Sequence, residues 1–289
     1  MHTERRTVDL SQAINETIQR GNPADFPIVL KPVYYGNEGN FQEVPERLAV
    51  VREDTGRAVA VVSKRYTLVP HQKILDSVEE AIKPLDLGPV PRGIYVDRQG
   101  ARMRAIFKFP ALAQPVFYKD DICPCLRIQN TYDGSSRIAI HIGAFRFVCT
   151  NLAVGGEGVF AGGFMSIHAG EIPLDDVAKQ VSTYLAGFEN IVALYRTWSE
   201  QWLEAGAMTK ALEGVPKWHA ARILQAFHPC KPTVYEAYNA ATYYATHETR
   251  SYRTAFDLLA RINQGFQEAF VPAVKPASES TAEKPDEAL

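Results

Sequence analysis

The stretch from Asn130 to Asn151 constrains the fold more than any other part of the chain. It opens on a turn at Asp133-Gly134. It then alternates as Arg137-Ile138-Ala139-Ile140-His141-Ile142, and closes on Phe145-Arg146-Phe147-Val148-Cys149. Side chains of a strand point to opposite faces with a period of two, so this pattern predicts one apolar face and one polar face. Ile138, Ile140 and Ile142 share the inward phase, whereas Phe145, Phe147 and Cys149 are one residue out of step. A bulge at Gly143-Ala144 is expected to restore the phase. It would leave Arg137, His141 and Arg146 outward, so a core is expected behind this strand and an anion in front of it.

The surrounding pattern is hairpin-rich. Phe26 to Tyr35 reads as a strand, and Gly36-Asn37-Glu38-Gly39-Asn40 as a loop. Arg47–Arg52 and Arg57–Ser63 are strands joined at Asp54-Thr55-Gly56. His71–Ile82 is a helix with Ile74, Leu75, Val78 and Ile82 on one face. Gly93–Val96, Ala101–Phe109 and Ile122–Asn130 supply further strands. After Pro173 the periodicity becomes helical over Leu174–Ala205, Pro216–Phe227, Thr233–His247 and Tyr252–Phe270. A short helix is also expected over Asp9–Arg20.

The fold class is therefore α+β: an antiparallel, hairpin-rich sheet packed on a helix, followed by a helical C-terminal half. The expected divisions are an N-terminal helix and arm (1–45), a sheet domain with a basic face (46–165), a helical region (166–271) and a disordered tail (272–289). The chain has 289 residues, 46% of them hydrophobic, which is enough for a sizeable core. The first residues lead into no apolar run, and no stretch has the length of a membrane span, so a cytoplasmic protein is expected.

The net charge of −2 hides an asymmetry. Glu46–Thr150 holds 16 Lys+Arg against 11 Asp+Glu, a net of +5, and the remainder holds 15 against 22, a net of −7. In the basic part, Arg102, Arg104, Lys108, Arg127, Arg137, His141 and Arg146 all fall on the outward phase of their strands. Arginines suit phosphate through paired hydrogen bonds, and a positive groove tracks a nucleic-acid backbone. Tyr132, together with Tyr95 and Tyr118, is a candidate to stack bases. The competing reading is a solvated sheet face, or arginines paired with acids.

Other motifs point to less. Asp54-Thr55-Gly56 has the residues of a retroviral-type protease triplet, but Glu53 and Arg57 flank it, as suits a solvated turn. Cys123-Pro124-Cys125 is too tight for a zinc knuckle, and Cys149 and Cys230 do not complete one. The glycine run from Gly155 to Gly163 matches no phosphate-binding loop. Tyr235, Tyr238, Asn239, Thr242, Tyr243 and His247 form a polar-aromatic helix stripe that suits packing or contact with bases. No cofactor and no metal are expected.

The block Asn130, Asp133, Gly134, Ser135, Arg146, Val148, Cys149, Asn151 resembles the phage/plasmid-like proteins of the domain of unknown function 932 (UPF0380). These show an Asn/Ser-x-x-Asp-Gly-Ser turn followed by an Arg-x-Val-Cys-x-Asn strand end. Asn239, Thr242, Tyr244 and His247 lie in a segment similar to the family's Asn-x-x-Thr-x-Tyr-x-x-His helix. The resemblance implies a mobile-element origin and no enzymatic activity.

The function expected from the residues is single-stranded DNA binding or annealing, in a Rad52-like arrangement by analogy of element order alone, with a homo-oligomer as a candidate assembly. The alternative is an interaction factor that acts on a host protein. Least favoured is an enzyme, for which Asp133, His141 and Asn151 are the first suspects.

Overall fold

Turn chemistry organises the N-terminal half. The computed structural model of the chain describes residues 21–118, 120–136, 138–146, 152–153, 164–166, 175–228, 232–249 and 252–270. β1 (Ile28–Asn37) and β2 (Asn40–Arg52) pair antiparallel about the two-residue turn Glu38-Gly39, and β3 (Arg57–Ser63) pairs with β2 across Asp54-Thr55-Gly56. This makes a three-stranded sheet in the order β1-β2-β3. Val50, Val62 and their neighbours Ile28, Leu30 and Leu48 close one face over the buried ring of Tyr132. The segment read as a loop at Gly36–Asn40 is thus the tip of a ribbon. Each hairpin partner extends beyond the small core, with Tyr34, Tyr35 and Phe41 exposed.

α1 (His71–Ile82) follows, with Ile74, Leu75, Val78 and Ile82 buried as the spacing predicts. The large sheet comes next, built from β4 (Arg92–Asp97), β5 (Arg102–Lys108), β6 (Gln114–Phe117), β7 (Asp120–Thr131), β8 (Ile138–Arg146), β9 (Leu152–Ala153) and β10 (Phe164–Ser166). Its order is β10-β8-β7-β5-β4, with β6 added to β7 and β9 to β8. Its inner face carries Ile94, Met103, Ala105, Phe107, Leu126, Ile128, Ile138, Ile140 and Ile142.

The expected bulge at Gly143-Ala144 is absent. The β7–β8 ladder runs without a shift from Gln129↔Ala139 through Cys125↔Gly143 to Ile122↔Arg146. Ala144 itself fills an inner-face position, at 0% exposure, so no extra residue is needed to hold the phase. The backbone register consequently sets position 146 across from Ile122 and off the row of His141.

Helices make up most of the rest: α2 (Asp175–Glu200), α3 (Ala207–Ala211), α4 (Lys217–Ala226), α5 (Val234–Tyr243) and α6 (Tyr252–Phe270). Thr233 caps α5 by accepting from the Glu236 backbone N–H. A single hydrophobic cluster joins Phe107 and Leu126 of the sheet to Trp198, Tyr238 and Phe266 of the helices. Antiparallel strands in the N-terminal half and helices in the C-terminal half are the α+β arrangement expected from the periodicity.

α3, which the periodicity does not predict, packs on α6 at closest range through Gly265. A Cβ built there would strike the carbonyl oxygen of Ala211. Gly265→Ala is expected to lower stability by about 1–3 kcal/mol in urea unfolding, because the added carbon meets backbone that must shift.

The helix over Asp9–Arg20, the glycine run, the tail, Arg137, Cys149, Asn151 and Cys230 lie outside the described residues. For Arg146 only the backbone is described. No helix among the described residues is long and apolar enough to cross a membrane.

Candidate functional site

The outer face of the large sheet is built by register. β5 presents Arg102, Arg104, Ile106 and Lys108 outward because Met103, Ala105 and Phe107 take the core. The ladder sets Arg104 beside Tyr95 and Gln129, Ile106 beside Arg127, Arg127 beside His141, and Lys108 beside Cys125. Arg102, Arg104, Lys108, Arg127 and His141 therefore share one face of three adjacent strands, as their phase predicts. Position 146 does not join them, and Arg137 is outside the description.

This face is neither bare nor uniformly exposed. Arg102 Nε donates to Asp133 Oδ2 at 2.8 Å, and Arg98 Nη1 approaches the same oxygen at 3.6 Å. One carboxylate thus serves two guanidiniums, of which Arg98 keeps 62% of its side chain exposed. Arg104 Nη2 lies 3.5 Å from Asp97 Oδ2, and its guanidinium stands 5.9 Å from the Tyr95 ring centroid. Arg127 is only 7% exposed, and Lys108 and His141 are half-buried. Burial, helped by the neighbouring Arg127 charge, pushes the His141 pKa down to about 4.

Burial works against ionisation of Asp133 too. Hydrogen bonds from the Ser135 side chain and backbone and from Arg102 outweigh it and hold the carboxyl below its usual range. Asp133 is thus an ionised clamp for arginines and for its own turn, with the Ser135 N–H donating to Oδ1 at 3.0 Å. The enzyme suspects are not gathered around it: His141 sits on the Arg127 row, and Asn151 is undescribed.

Tyr132 corrects the expectation of an exposed base-stacking ring. It falls on the inner phase with Asn130, is 0% exposed, and stacks on the His71 imidazole with centroids 4.0 Å apart. The His71 backbone N–H, at the start of α1, donates to Tyr132 Oη at 2.8 Å. His71 Nε2 lies 3.0 Å from the Gly100 carbonyl, which can only accept, so that nitrogen carries the proton. Nδ1 then accepts from Asn130 Nδ2 at 2.9 Å, and the same amide donates to the Val69 carbonyl at 3.0 Å. Gly100 closes the knot at φ 107, where a side chain would collide with Arg52 and Phe26. The Asn130–Ser135 block therefore ties sheet to helix on one side and anchors arginines on the other.

The remaining motifs resolve structurally. Asp54 is an exposed turn carboxylate held below its usual pKa by a hydrogen bond from Arg52, the reverse of what an acid catalyst needs. Cys123 and Cys125 are buried free thiols beside Ile106, and burial pushes Cys123 up to about 11 and Cys125 higher still.

On α5, Tyr235 and Tyr238 are buried against Tyr195 and Trp198. Tyr238 donates to Asn263, Asn239 to the Tyr235 carbonyl, and Thr242 to the Tyr238 carbonyl. Most of this stripe is helix packing; exposed Tyr243 and the half-buried His247 stacked on it reach the surface. Among the described residues no cluster of His, Cys, Asp and Glu could hold a metal ion.

Two features escape the residue pattern. Arg98 lies in a turn rather than a strand, so alternation does not select it. The exposed ribbon is hidden by its glycines and asparagines, although Tyr34 and Phe41, spaced around Glu38-Gly39, carry the signal.

A family model described as domain of unknown function (DUF932) matches residues 58–269. No curated protein and no solved structure matches the chain.

Proposed function

We propose that this chain, which belongs to the DUF932 family of unknown function by a match over more than half its length, binds single-stranded nucleic acid along the outer face of the large sheet. The observation that carries the reading is the sharing of Asp133 by Arg98 and Arg102, which leaves surplus positive charge beside an exposed guanidinium. Arg104 and Lys108, both half-buried, extend the same face along β5, and Arg127 of the adjacent strand adds its charge from behind the surface at 7% exposure. A row of cations of this kind recognises phosphates without reading bases. Tyr95, half-buried beside Arg104, is the ring on this face able to meet a base. The phage or plasmid setting, a part in recombination and a cytoplasmic location belong to the same proposal. They rest on the resemblance of the Asn130–Asn151 block.

Fluorescence anisotropy with a labelled single-stranded oligonucleotide, titrated over a salt series, tests the reading. Affinity should fall linearly on a log–log salt plot. Arg98→Ala with Arg104→Ala should flatten the slope by about 0.7 per lost phosphate contact and weaken binding to all sequences alike. Absence of binding at low salt, or an unchanged slope in the double variant, would remove the proposal.

A further inference from the structure

The open cations of the outer face gather at one end, around the turn that joins β4 to β5. Away from that turn the surface closes. Ile106, Cys123 and Cys125 are 0% exposed, and Arg127 is 7% exposed. Arg104, nearer the turn, stands between the Asp97 carboxylate and the Tyr95 ring. Arg98 is in the turn itself, with 62% of its side chain exposed, and Arg102 follows it at the start of β5. Among the described residues, a strand crossing this face meets its most open guanidinium at this one end.

The turn is strained and pinned. Arg98 and Gln99 are consecutive non-glycine residues in the left-handed region, at φ 47 and 61, and Gly100 follows at φ 107. Asn-Gly is the pair that enters such a hairpin turn without strain, so arginine and glutamine are a costly choice there. Three contacts fix the path. The Gln99 carbonyl accepts from Arg52 Nη1 at 3.2 Å, the Gly100 carbonyl from His71 Nε2 at 3.0 Å, and the Ala101 carbonyl from the Tyr132 backbone N–H at 2.8 Å. Strained backbone persists where its surroundings over-determine it, and it marks positions where function is sought. Here it brings the Arg98 side chain to Asp133.

Arg102 Nε donates to Asp133 Oδ2, and Arg98 Nη1 lies 3.6 Å from the same oxygen. Each guanidinium turns one nitrogen to the shared carboxylate and keeps its other two for a second anion. Asp133 thus holds two planar forks side by side while neutralising only one of them. An internal phosphodiester would bring a single negative charge to this point. A terminal phosphate monoester brings close to two charges and three acceptor oxygens, which suit two forks. We propose that this end of the face takes the terminal phosphate of a nucleic-acid strand, gripped by Arg98 and Arg102. The proposal rests on the nucleic-acid reading and adds to it which phosphate is recognised.

The test is fluorescence anisotropy at low salt with the full chain. Three single-stranded oligonucleotides of one sequence, labelled on an internal base, carry a 5′-phosphate, a 3′-phosphate or hydroxyls at both ends. At least one phosphorylated strand should bind about tenfold tighter than the hydroxyl strand, the scale of charge-assisted hydrogen bonds, and it identifies the end recognised. Arg98→Asn keeps a residue that visits the left-handed region and removes the fork, so it should abolish the preference. Lys73→Ala loses the same charge from an exposed position on α1 and should keep it. Equal binding of the three strands would overturn the proposal and leave the broader reading standing. So would a preference that survives Arg98→Asn or is lost in Lys73→Ala. Binding of a phosphorylated strand alone would support the terminal site and remove the contacts along the face. Absence of binding by all three would remove both.

Discussion

Replacing Tyr132 with alanine is expected to lower the stability of the chain by about 3–5 kcal/mol, the range for deleting a fully buried aromatic ring. The ring is enclosed by the small sheet on one side and by His71 on the other, so its loss opens a cavity at the junction of two sheets and a helix. It also removes the acceptor of the His71 backbone N–H, one of the donors that a helix start leaves without an intrahelical partner. The two contributions separate experimentally. Tyr132→Phe keeps the ring and loses only the acceptor, so it should cost about 1–3 kcal/mol, the penalty of a buried donor without a partner. Urea unfolding followed by circular dichroism measures both. If Tyr132→Ala cost no more than Tyr132→Phe, the ring would not be the keystone that its burial indicates.

That result bears on how the family-like block is understood. Asn130, Tyr132 and Asp133 fall within six residues, and their side chains work on two sides of the sheet. Asn130 and Tyr132 hold the start of α1, and Asp133 holds Arg98 and Arg102. Alternation is sufficient to place Arg102, Arg104, Lys108, Arg127 and His141 together, since period two along neighbouring strands leaves little freedom. It is also sufficient to show that Cys123 and Cys125 face the same way.

It does not show that Tyr132 is inside. The position beside Asp133-Gly134 suggests an exposed turn, whereas the ladder continues to Tyr132, whose N–H donates to the Ala101 carbonyl. The phase of the β8 end fails for a related reason. Phe145, Phe147 and Cys149 look like core because they are apolar, while Ala144, too small to weigh in such a pattern, is the residue that takes the buried position. Partnerships across long sequence separation, such as His71 with Asn130 or Arg52 with Gln99, leave no periodic trace at all.

His141 gives the outer face a pH signature. Its folded pKa of about 4 lies below the value near 6.5 expected when unfolded, so the unfolded chain takes up the proton first as pH falls. The stabilisation from keeping this imidazole neutral is complete above pH 6.5. It declines as pH drops toward 4 and is gone below that. Each pH unit over which only the unfolded chain binds the proton is worth about 1.4 kcal/mol. From pH 7 to 5 the loss should therefore be about 1–2 kcal/mol, allowing for the part of the ring that still meets solvent.

His219 contributes with the same sign, since burial and then Arg222 depress it also. The informative quantity is therefore the difference between the wild-type chain and His141→Gln, which keeps a polar group beside Arg127 and removes the titration. Urea midpoints of the variant should fall less between pH 7 and 5. Asp54 and Asp133 do not interfere, because both are held below the usual carboxylate range and lose their stabilisation only at lower pH. An equal decline in both chains would mean that His141 titrates like a solvated imidazole, and then the Arg127–His141 row is open to water. A depressed value, by contrast, means that the Arg127–His141 row is closed to water, so that any phosphate on this face would have to be met by the exposed Arg98 rather than by Arg127.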